Sequence, residues 1–217
     1  MVTAREALAR LKAGNRRFVE EARSRSAMTG ADRRIELVDG QQPFAVVLGC
    51  SDSRVPAEIV FGQGLGDLFV IRIAGNIVAP SQIGSVEFAV ERFGVPLVVV
   101  MGHSRCGAIS ATLEALSGAA GAKPHSRNLR SIVQRVRPAV ESLLETELRH
   151  DPEALLKAAV RANVRVAASH LRHGSEILEQ LIEQGQLVVV GAEYSLETGE
   201  VSFLDRLDDE VGPAATE

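Results

Sequence analysis

The sequence of 217 residues contains no tryptophan, one tyrosine and two cysteines. No apolar run approaches the roughly 20 residues that a membrane-spanning helix needs, which argues against a membrane partner. An excess of basic charge is also missing, because the net charge is −4 at pH 7, and this argues against a nucleic-acid partner. The first residues, Met1 to Leu8, include charged side chains. We therefore expect no signal peptide and a cytoplasmic protein whose two cysteines stay reduced.

Hydrophobic residues make up 46% of the chain and charged residues 24%, which is typical of a globular rather than a disordered protein. The length suits one domain of ordinary size. We predict a single domain over residues 1–217, with a helical arm and connector (1–42), an α/β core (43–207) and a polar tail (208–217).

Short apolar runs alternate with segments of helical periodicity along most of the chain. Residues 4–21 predict one or two amphipathic helices, and a polar connector over residues 24–42 follows. Further helices are predicted over residues 56–62, 82–92, 106–116, 129–147, 152–172 and 175–185. Strands are predicted over residues 44–49, 68–73, 97–102, 187–192 and 201–204.

The first four strands are rich in Val, Ile and Leu over their whole length, which indicates that both faces of the sheet are covered. The pattern predicts an α/β fold: a mostly parallel sheet of four strands, helices on both faces and an N-terminal helical arm. A turn at Glu197–Glu200 would add a fifth strand as an antiparallel edge. Ligands of such sheets bind beyond the carboxyl ends of the strands.

Two of the predicted strands end at residues that bind metals, and these residues include both cysteines of the chain. The first strand runs into Cys50, and the third runs into His103 and Cys106. His103 and Cys106 are three residues apart at a helix start, so both can reach one ion, and Cys50 can join them if the two strands are neighbours. Cys and His ligands suit Zn²⁺, and three of them leave one tetrahedral position open, as in catalytic zinc sites. The helix N-terminus also favours the thiolate of Cys106.

Asp52 and Arg54 follow Cys50 at a spacing that lets their side chains share one face. Asp52 could be a fourth zinc ligand that closes the site. Alternatively, it could accept a hydrogen bond from a zinc-bound water while Arg54 holds it off the metal through a bidentate pair. The remaining alternative is that Asp52 and Arg54 form an ordinary surface ion pair with no role in the chemistry.

Four segments together resemble the β-class carbonic anhydrases. They are CSDSRVP at residues 50–56, GDLFVIRIAGN at 66–76, GSVEFAV at 84–90 and GHSRCG at 102–107. The resemblance is detailed from Gln41 to Ile109. It implies a zinc-dependent lyase (carbonate dehydratase) that interconverts CO₂ and water with bicarbonate and a proton through zinc-activated water. One zinc ion per chain would be held by Cys50, His103 and Cys106, and Asp52 and Arg54 would be the catalytic dyad.

The resemblance also implies a substrate pocket and an assembly. Gln41 falls where one subtype has a glutamine that hydrogen-bonds substrate, and the Gly107 amide would point at the pocket. Phe69 and Phe88 fall where the family lines an apolar CO₂ pocket, partly from a neighbouring subunit, although both could equally be ordinary core residues. The implied assembly is a homodimer that exchanges N-terminal helices, or a homotetramer formed from two such dimers.

Another subtype of the family binds bicarbonate at a regulatory site that uses a Trp, an Arg and a Tyr. This chain has no Trp, and Val47 occupies the corresponding place, whereas Arg72 and Tyr194 could be the other two members. The comparison favours the subtype with an open zinc site. Closure of the site by Asp52 at low pH stays an alternative.

Three other functions fit the same residues. A close rival is hydrolysis of carbonyl sulfide or carbon disulfide on the same zinc site. A cysteine hydrolase would use Cys106 as nucleophile with His103, and would leave Cys50 without a role. A non-catalytic zinc-binding module would need a fourth protein ligand, for which Asp52 is the candidate.

Overall fold

A computed structural model describes residues 2–21, 30–118 and 126–205 of the chain. Its α-helices are α1 (Ala4–Val19), α2 (Ala31–Glu36), α3 (Ala57–Val60), α4 (Pro80–Phe93), α5 (Gly107–Leu116), α6 (Arg127–Val140), α7 (Pro152–His173) and α8 (Glu176–Glu183). Short 3₁₀ helices cover Ala74–Asn76, Glu141–Glu145 and Glu147–His150. The strands are β1 (Ala45–Gly49), β2 (Leu68–Arg72), β3 (Leu97–His103), β4 (Val188–Tyr194) and β5 (Val201–Phe203).

The five strands form one sheet in the order β2-β1-β3-β4-β5. The first four are parallel, and β5 pairs antiparallel to β4 at the edge. The predicted fold class is therefore confirmed. Strands β1 and β3 are neighbours, with Gly49 opposite Met101, so the chain segments that follow β1 and β3 emerge at the same edge of the sheet.

Helices cover both faces of the sheet, as the near-continuous apolar strands predict. On one face, Val47 and Val99 pack in a core cluster with Leu11 of α1. On the other face, Val98 packs with residues of α4 and α7, among them Val164. A third cluster lies over the carboxyl edge of the sheet, where residues of α5, α6 and α7 surround both cysteines.

Helix α2 lies within the predicted connector and is a correction to that prediction. Asp32 in its first turn and Arg33 and Arg34 in its last turn complement the helix dipole. However, the helix buries no residue, so its sequence has no apolar periodicity by which it could be recognised.

Within the described residues no helix is both long and apolar enough to cross a bilayer.

The helical region predicted over residues 129–147 is divided in the structure. Helix α6 ends at Val140, two residues after Pro138, and a 3₁₀ segment continues from Glu141. Proline lacks an N–H and crowds the preceding turn, yet Pro138 lies within α6, and the N–H of Glu141 still donates to the carbonyl oxygen of Arg137. The predicted tail, residues 208–217, lies outside the described residues.

Candidate metal centre

Three side chains meet at the carboxyl edge of the sheet because β1 and β3 are parallel neighbours. Cys50 directly follows β1, His103 is the last residue of β3, and Cys106 is the N-cap of α5. They are 5%, 0% and 1% exposed, respectively. The loop from Ser104 to Cys106 turns sharply, and Arg105 has a φ of 55°, an uncommon conformation for a residue other than glycine.

The dimensions of this group fit a zinc ion. One potential ligand atom from each of the three residues lies within 4.8 Å of the others. The two sulfur atoms are 4.0 Å apart, and both cysteines are free. Two thiolates at about 2.3 Å from a tetrahedral zinc ion would be about 3.8 Å apart, so little adjustment is needed.

The imidazole of His103 is oriented for metal binding through Nε2. Its Nδ1 lies 2.9 Å from the carbonyl oxygen of Ser104, which can only accept a hydrogen bond, so Nδ1 carries the proton and Nε2 a lone pair. Among the described residues, buried Nε2 has no hydrogen-bond partner. A buried polar atom without a partner is costly, and a metal ion at this position would satisfy it.

The ionisation of the two thiols is coupled, and this coupling also favours a cation between them. The hydrogen bond from the Cys106 thiol lowers the pKa of Cys50 to about 4, and the N–H of Gly75, 3.3 Å from Cys50 Sγ, contributes. The same hydrogen bond to Cys50, together with burial, raises the pKa of Cys106 far above its usual range. One of the two thiols therefore ionises at the expense of the other, and a second buried thiolate requires a positive ion beside it.

Asp52 lies beside this group and is bound by Arg54. The guanidinium donates from Nε to Oδ1 at 2.9 Å and from Nη2 to Oδ2 at 2.7 Å, and the backbone N–H of Arg54 also donates to Oδ1. These hydrogen bonds hold the pKa of the Asp52 carboxyl far below its usual value. Asp52 Oδ2 is 3.9 Å from His103 Nε2, so the carboxylate is close to the metal position but engaged by the arginine.

Residues 45–201 match the family described as carbonic anhydrase. The chain belongs to the β-carbonic anhydrase family. It is 40% identical to carbonic anhydrase 2 of Mycobacterium tuberculosis over 197 residues, which cover 91% of each chain. It is 42% identical to a carbonic anhydrase of Mycolicibacterium smegmatis over 199 residues, which cover 92% of each.

Solved structures of β-carbonic anhydrases share the fold. The β-carbonic anhydrase CcaA superposes with a TM-score of 0.73 at 27% identity, covering 91% of this chain and 95% of that one. The β-carbonic anhydrase CafA of Aspergillus fumigatus superposes with a TM-score of 0.70 at 28% identity, covering 95% of this chain and 91% of that one.

The remaining predicted substrate residues lie in three places. Gln41 is exposed in the loop before β1 and lines a shallow depression with Arg33. Phe69 and Phe88 have ring centroids 6.2 Å apart in an aromatic cluster, and Phe88 is 53% exposed. Gly107 is the first residue of α5, next to Cys106. Apart from its chain neighbours and the backbone of its own helix, no described residue lies within 4 Å of the position that a Cβ would take there.

Two contacts beside the candidate metal centre were not foreseen from the sequence. Arg72, at the end of β2, donates to the carbonyl oxygens of Cys50 at 3.0 Å and Asp52 at 2.6 Å. Asn163 of α7 donates to the carbonyl oxygen of Gly75 at 2.8 Å. A signal for Asn163 was available, since it is a polar residue within the apolar stripe of a long helix.

Proposed function

We propose that this protein catalyses the reversible hydration of CO₂ to bicarbonate and a proton, with one zinc ion held by Cys50, His103 and Cys106. The observation that carries the proposal is the combination of three buried ligands with an ionised carboxylate that an arginine holds beside them. Three protein ligands leave a tetrahedral zinc ion one position for a reactant, which is the arrangement of a catalytic site.

The ligand residues set the electronic character of the centre. A zinc ion bound there would lower the pKa of a water molecule and so supply a nucleophile for CO₂ at moderate pH. Two thiolates and a neutral imidazole cancel the formal charge of the ion, so this effect should be weaker than at a site with three histidines. We therefore expect CO₂ hydration to become faster as the pH rises.

The proposed role of Asp52 is to orient the attacking water. Its carboxylate stays ionised because Arg54 binds both oxygens, and an ionised carboxylate can only accept hydrogen bonds. Accepting a hydrogen from the water aims a lone pair of the water oxygen at the carbon of CO₂. Arg54 also keeps Asp52 from moving onto the metal, so the ion pair corresponds to the open form of the site.

The non-catalytic zinc module and the closed form both need Asp52 as a fourth ligand. Arg54 would have to release the carboxylate first, which breaks two charge-assisted hydrogen bonds. The pairing therefore favours the catalytic proposal.

We place substrate at the N-terminus of α5, where there is open space beside the Cα of Gly107, and we propose that the Gly107 amide points at it. We propose that Gln41, Phe69 and Phe88 line the CO₂ pocket, partly across a subunit boundary. The exposed loop position of Gln41 and the exposed ring of Phe88 are compatible with contact to a second copy of the chain.

We further propose a cytoplasmic homodimer or a tetramer of paired dimers. Two β-carbonic anhydrases of Sordaria macrospora are tetrameric, and one matches this chain at 26% identity with a TM-score of 0.68, covering 79% of this chain and 85% of that one. The cytoplasm keeps thiols reduced, as the two proposed cysteine ligands require.

Metal analysis and stopped-flow CO₂ hydration on the same purified sample test the proposed reaction. We expect about one zinc ion per chain and hydration above the buffer rate that is faster at pH 8.5 than at pH 7.0. Carbonyl sulfide and carbon disulfide are assayed in parallel. Faster turnover of either, or hydration that persists in metal-free protein and is lost on thiol alkylation, would contradict the proposal.

A further inference from the structure

We propose that Asn163 is a positioning residue for the metal centre and acts through Gly75. The inference rests on the proposed zinc site and concerns what holds one of its ligands in place. Asn163 lies on α7, and its amide donates to the Gly75 carbonyl oxygen at 2.8 Å. The N–H of Gly75 in turn lies 3.3 Å from Cys50 Sγ. Asn163 is thus two hydrogen bonds away from a proposed metal ligand.

Gly75 lies in a turn whose backbone conformation needs external support. Gly75 has a φ of 69°, and the next residue, Asn76, has a φ of 42°. Positive φ is easy for glycine but costs a residue with a side chain about 1 kcal/mol or more. The turn also fits closely against α5, since a Cβ on Gly75 would come within 3.1 Å of Ala108 Cβ. Such a conformation persists only where surrounding contacts determine it.

Asn163 provides such a contact from a rigid element. It is 3% exposed, and its neighbours Val160 and Val164 belong to the core clusters that pack α7 against the sheet. An apolar side chain at this position would be expected to pack on the buried face of α7. A buried amide is costly unless it is hydrogen-bonded, and the Asn163 amide donates to the carbonyl oxygen of Gly75. Asn163 therefore fixes the turn from one side, while the Gly75 N–H contacts the sulfur on the other.

The consequence for the metal centre concerns the charge on one sulfur. A hydrogen bond to a coordinated thiolate stabilises the sulfur lone pairs and thereby lowers the electron density that the sulfur donates to the metal. Without the Asn163 amide the Gly75 turn can relax, and the N–H moves away from Cys50 Sγ. The sulfur lone pairs then rise in energy. The site also loses a contact that holds Cys50 in place before the metal binds, so it holds its metal less tightly.

The test compares Asn163→Leu, which keeps the number of side-chain heavy atoms but removes the donor, with Asn163→Gln, which keeps an amide. In cobalt-loaded protein we expect Asn163→Leu to move the sulfur-to-cobalt charge-transfer band to lower energy. We also expect zinc affinity to fall by about 10-fold or more, a typical effect of removing an outer hydrogen-bond partner. Asn163→Gln should recover part of both changes.

Asn15→Leu is the matched control. Asn15 is also buried and binds backbone groups of Val60, Gly199 and Val201, but it lies against the opposite face of the sheet. The Asn15→Leu substitution should lower the thermal stability of the protein and leave the cobalt charge-transfer band and the zinc affinity unchanged. A folded Asn163→Leu protein with the wild-type band and affinity would overturn the proposal, as would an equal band shift in Asn15→Leu.

A measurement on the unaltered chain covers the case in which Asn163→Leu does not fold. In protein loaded with ¹¹³Cd, we expect a coupling between the metal and the Gly75 amide proton through the sulfur, and its absence would overturn the proposal. Asn163→Ala, which adds no apolar bulk, should lose this coupling; if it keeps the coupling, the inference is wrong. A wild-type protein that binds none of these metals would instead refute the proposed function.

Discussion

Among single residues, Asp52 lies between Arg54 and the candidate metal position. Arg54 binds both of its oxygens, whereas the metal-facing nitrogen of His103 is 3.9 Å from Oδ2. The carboxylate is only 18% exposed, so losing its hydrogen bonds without replacement would be costly. In this structure Asp52 is therefore held by the arginine and kept ionised.

The proposed role of Asp52 predicts a large loss of activity in Asp52→Asn. The amide cannot serve as an anionic acceptor, and loss of the orientation of an attacking group can cost about 100-fold. Stopped-flow CO₂ hydration on variant protein of equal zinc content measures the effect. Asp67→Asn, which alters another carboxylate paired with an arginine, should hydrate CO₂ at the wild-type rate. Near wild-type turnover in zinc-loaded Asp52→Asn would rule out this role.

The ion pair also predicts a pH dependence of stability. The folded-state pKa of Asp52 lies below its unfolded value, so the pairing contributes fully above about pH 4 and is lost as the pH falls through the lowered pKa. Arg54→Gln should lower the melting temperature by about 2–4 °C at pH 7. The difference from wild type should shrink below about pH 4. Thermal unfolding followed by circular dichroism checks this, and a difference that grows in acid would contradict it.

At the scale of elements, the contact between α1 and α3 depends on a glycine. Gly14 lies in α1 directly over the carbonyl oxygen of Phe61, with which a Cβ at position 14 would collide. The neighbouring Asn15 donates to Val60 of α3. The two backbones therefore approach each other as closely as the absence of a side chain allows.

Gly14→Ala should destabilise the protein even though alanine favours helices. Overpacking of this kind costs about 1–3 kcal/mol, more than the gain of about 1 kcal/mol in helix propensity. The free energy of unfolding in urea measures the net effect. Gly40→Ala is the control, because in the described part of the chain nothing but its sequence neighbours lies within 4 Å of the added methyl group. The stability of this variant should match wild type within about 0.5 kcal/mol. Equal stability of both variants would show that the helices can separate at no cost.

The elements also show what the sequence could predict. The strands were recognisable because their apolar runs are bounded by glycine, proline and polar residues. The placement of Cys50 and His103 at one edge was expected from the parallel order of such sheets, whereas the adjacency of β1 and β3 was a condition that only the structure supplies. Helix α2 was not recognisable because it buries nothing. The contacts of Arg72 and Asn163 depend on how distant segments pack, which residue spacing along one chain does not specify.

At the scale of the whole molecule, an exposed aromatic cluster is the feature that suggests assembly. Phe88 packs edge-on against Phe93 with ring centroids 5.8 Å apart, and both rings contact Phe69. Half of Phe88 remains exposed in the single chain. Exposed aromatic groups of this kind are enriched where protein surfaces meet.

If a second copy covers this cluster, Phe88→Ser should weaken the assembly. Removing an aromatic anchor from an interface commonly costs about 2 kcal/mol or more, which corresponds to about 30-fold weaker association. Light scattering coupled to size-exclusion chromatography, over a range of concentrations, measures the change. Ile177→Ser changes an exposed apolar residue on α8 and should leave the mass unchanged. An unchanged mass for Phe88→Ser at all concentrations would place the interface elsewhere.

The central claim is that CO₂ hydration depends on a metal held by Cys50, His103 and Cys106. The most direct test is a titration in which metal-free protein receives increasing zinc and stopped-flow CO₂ hydration is measured at each step. We predict a rate that rises in proportion to bound zinc and levels off at about one ion per chain. Full activity before zinc is added, or a zinc-saturated protein with no hydration above the buffer rate at pH 8.5, would contradict the account.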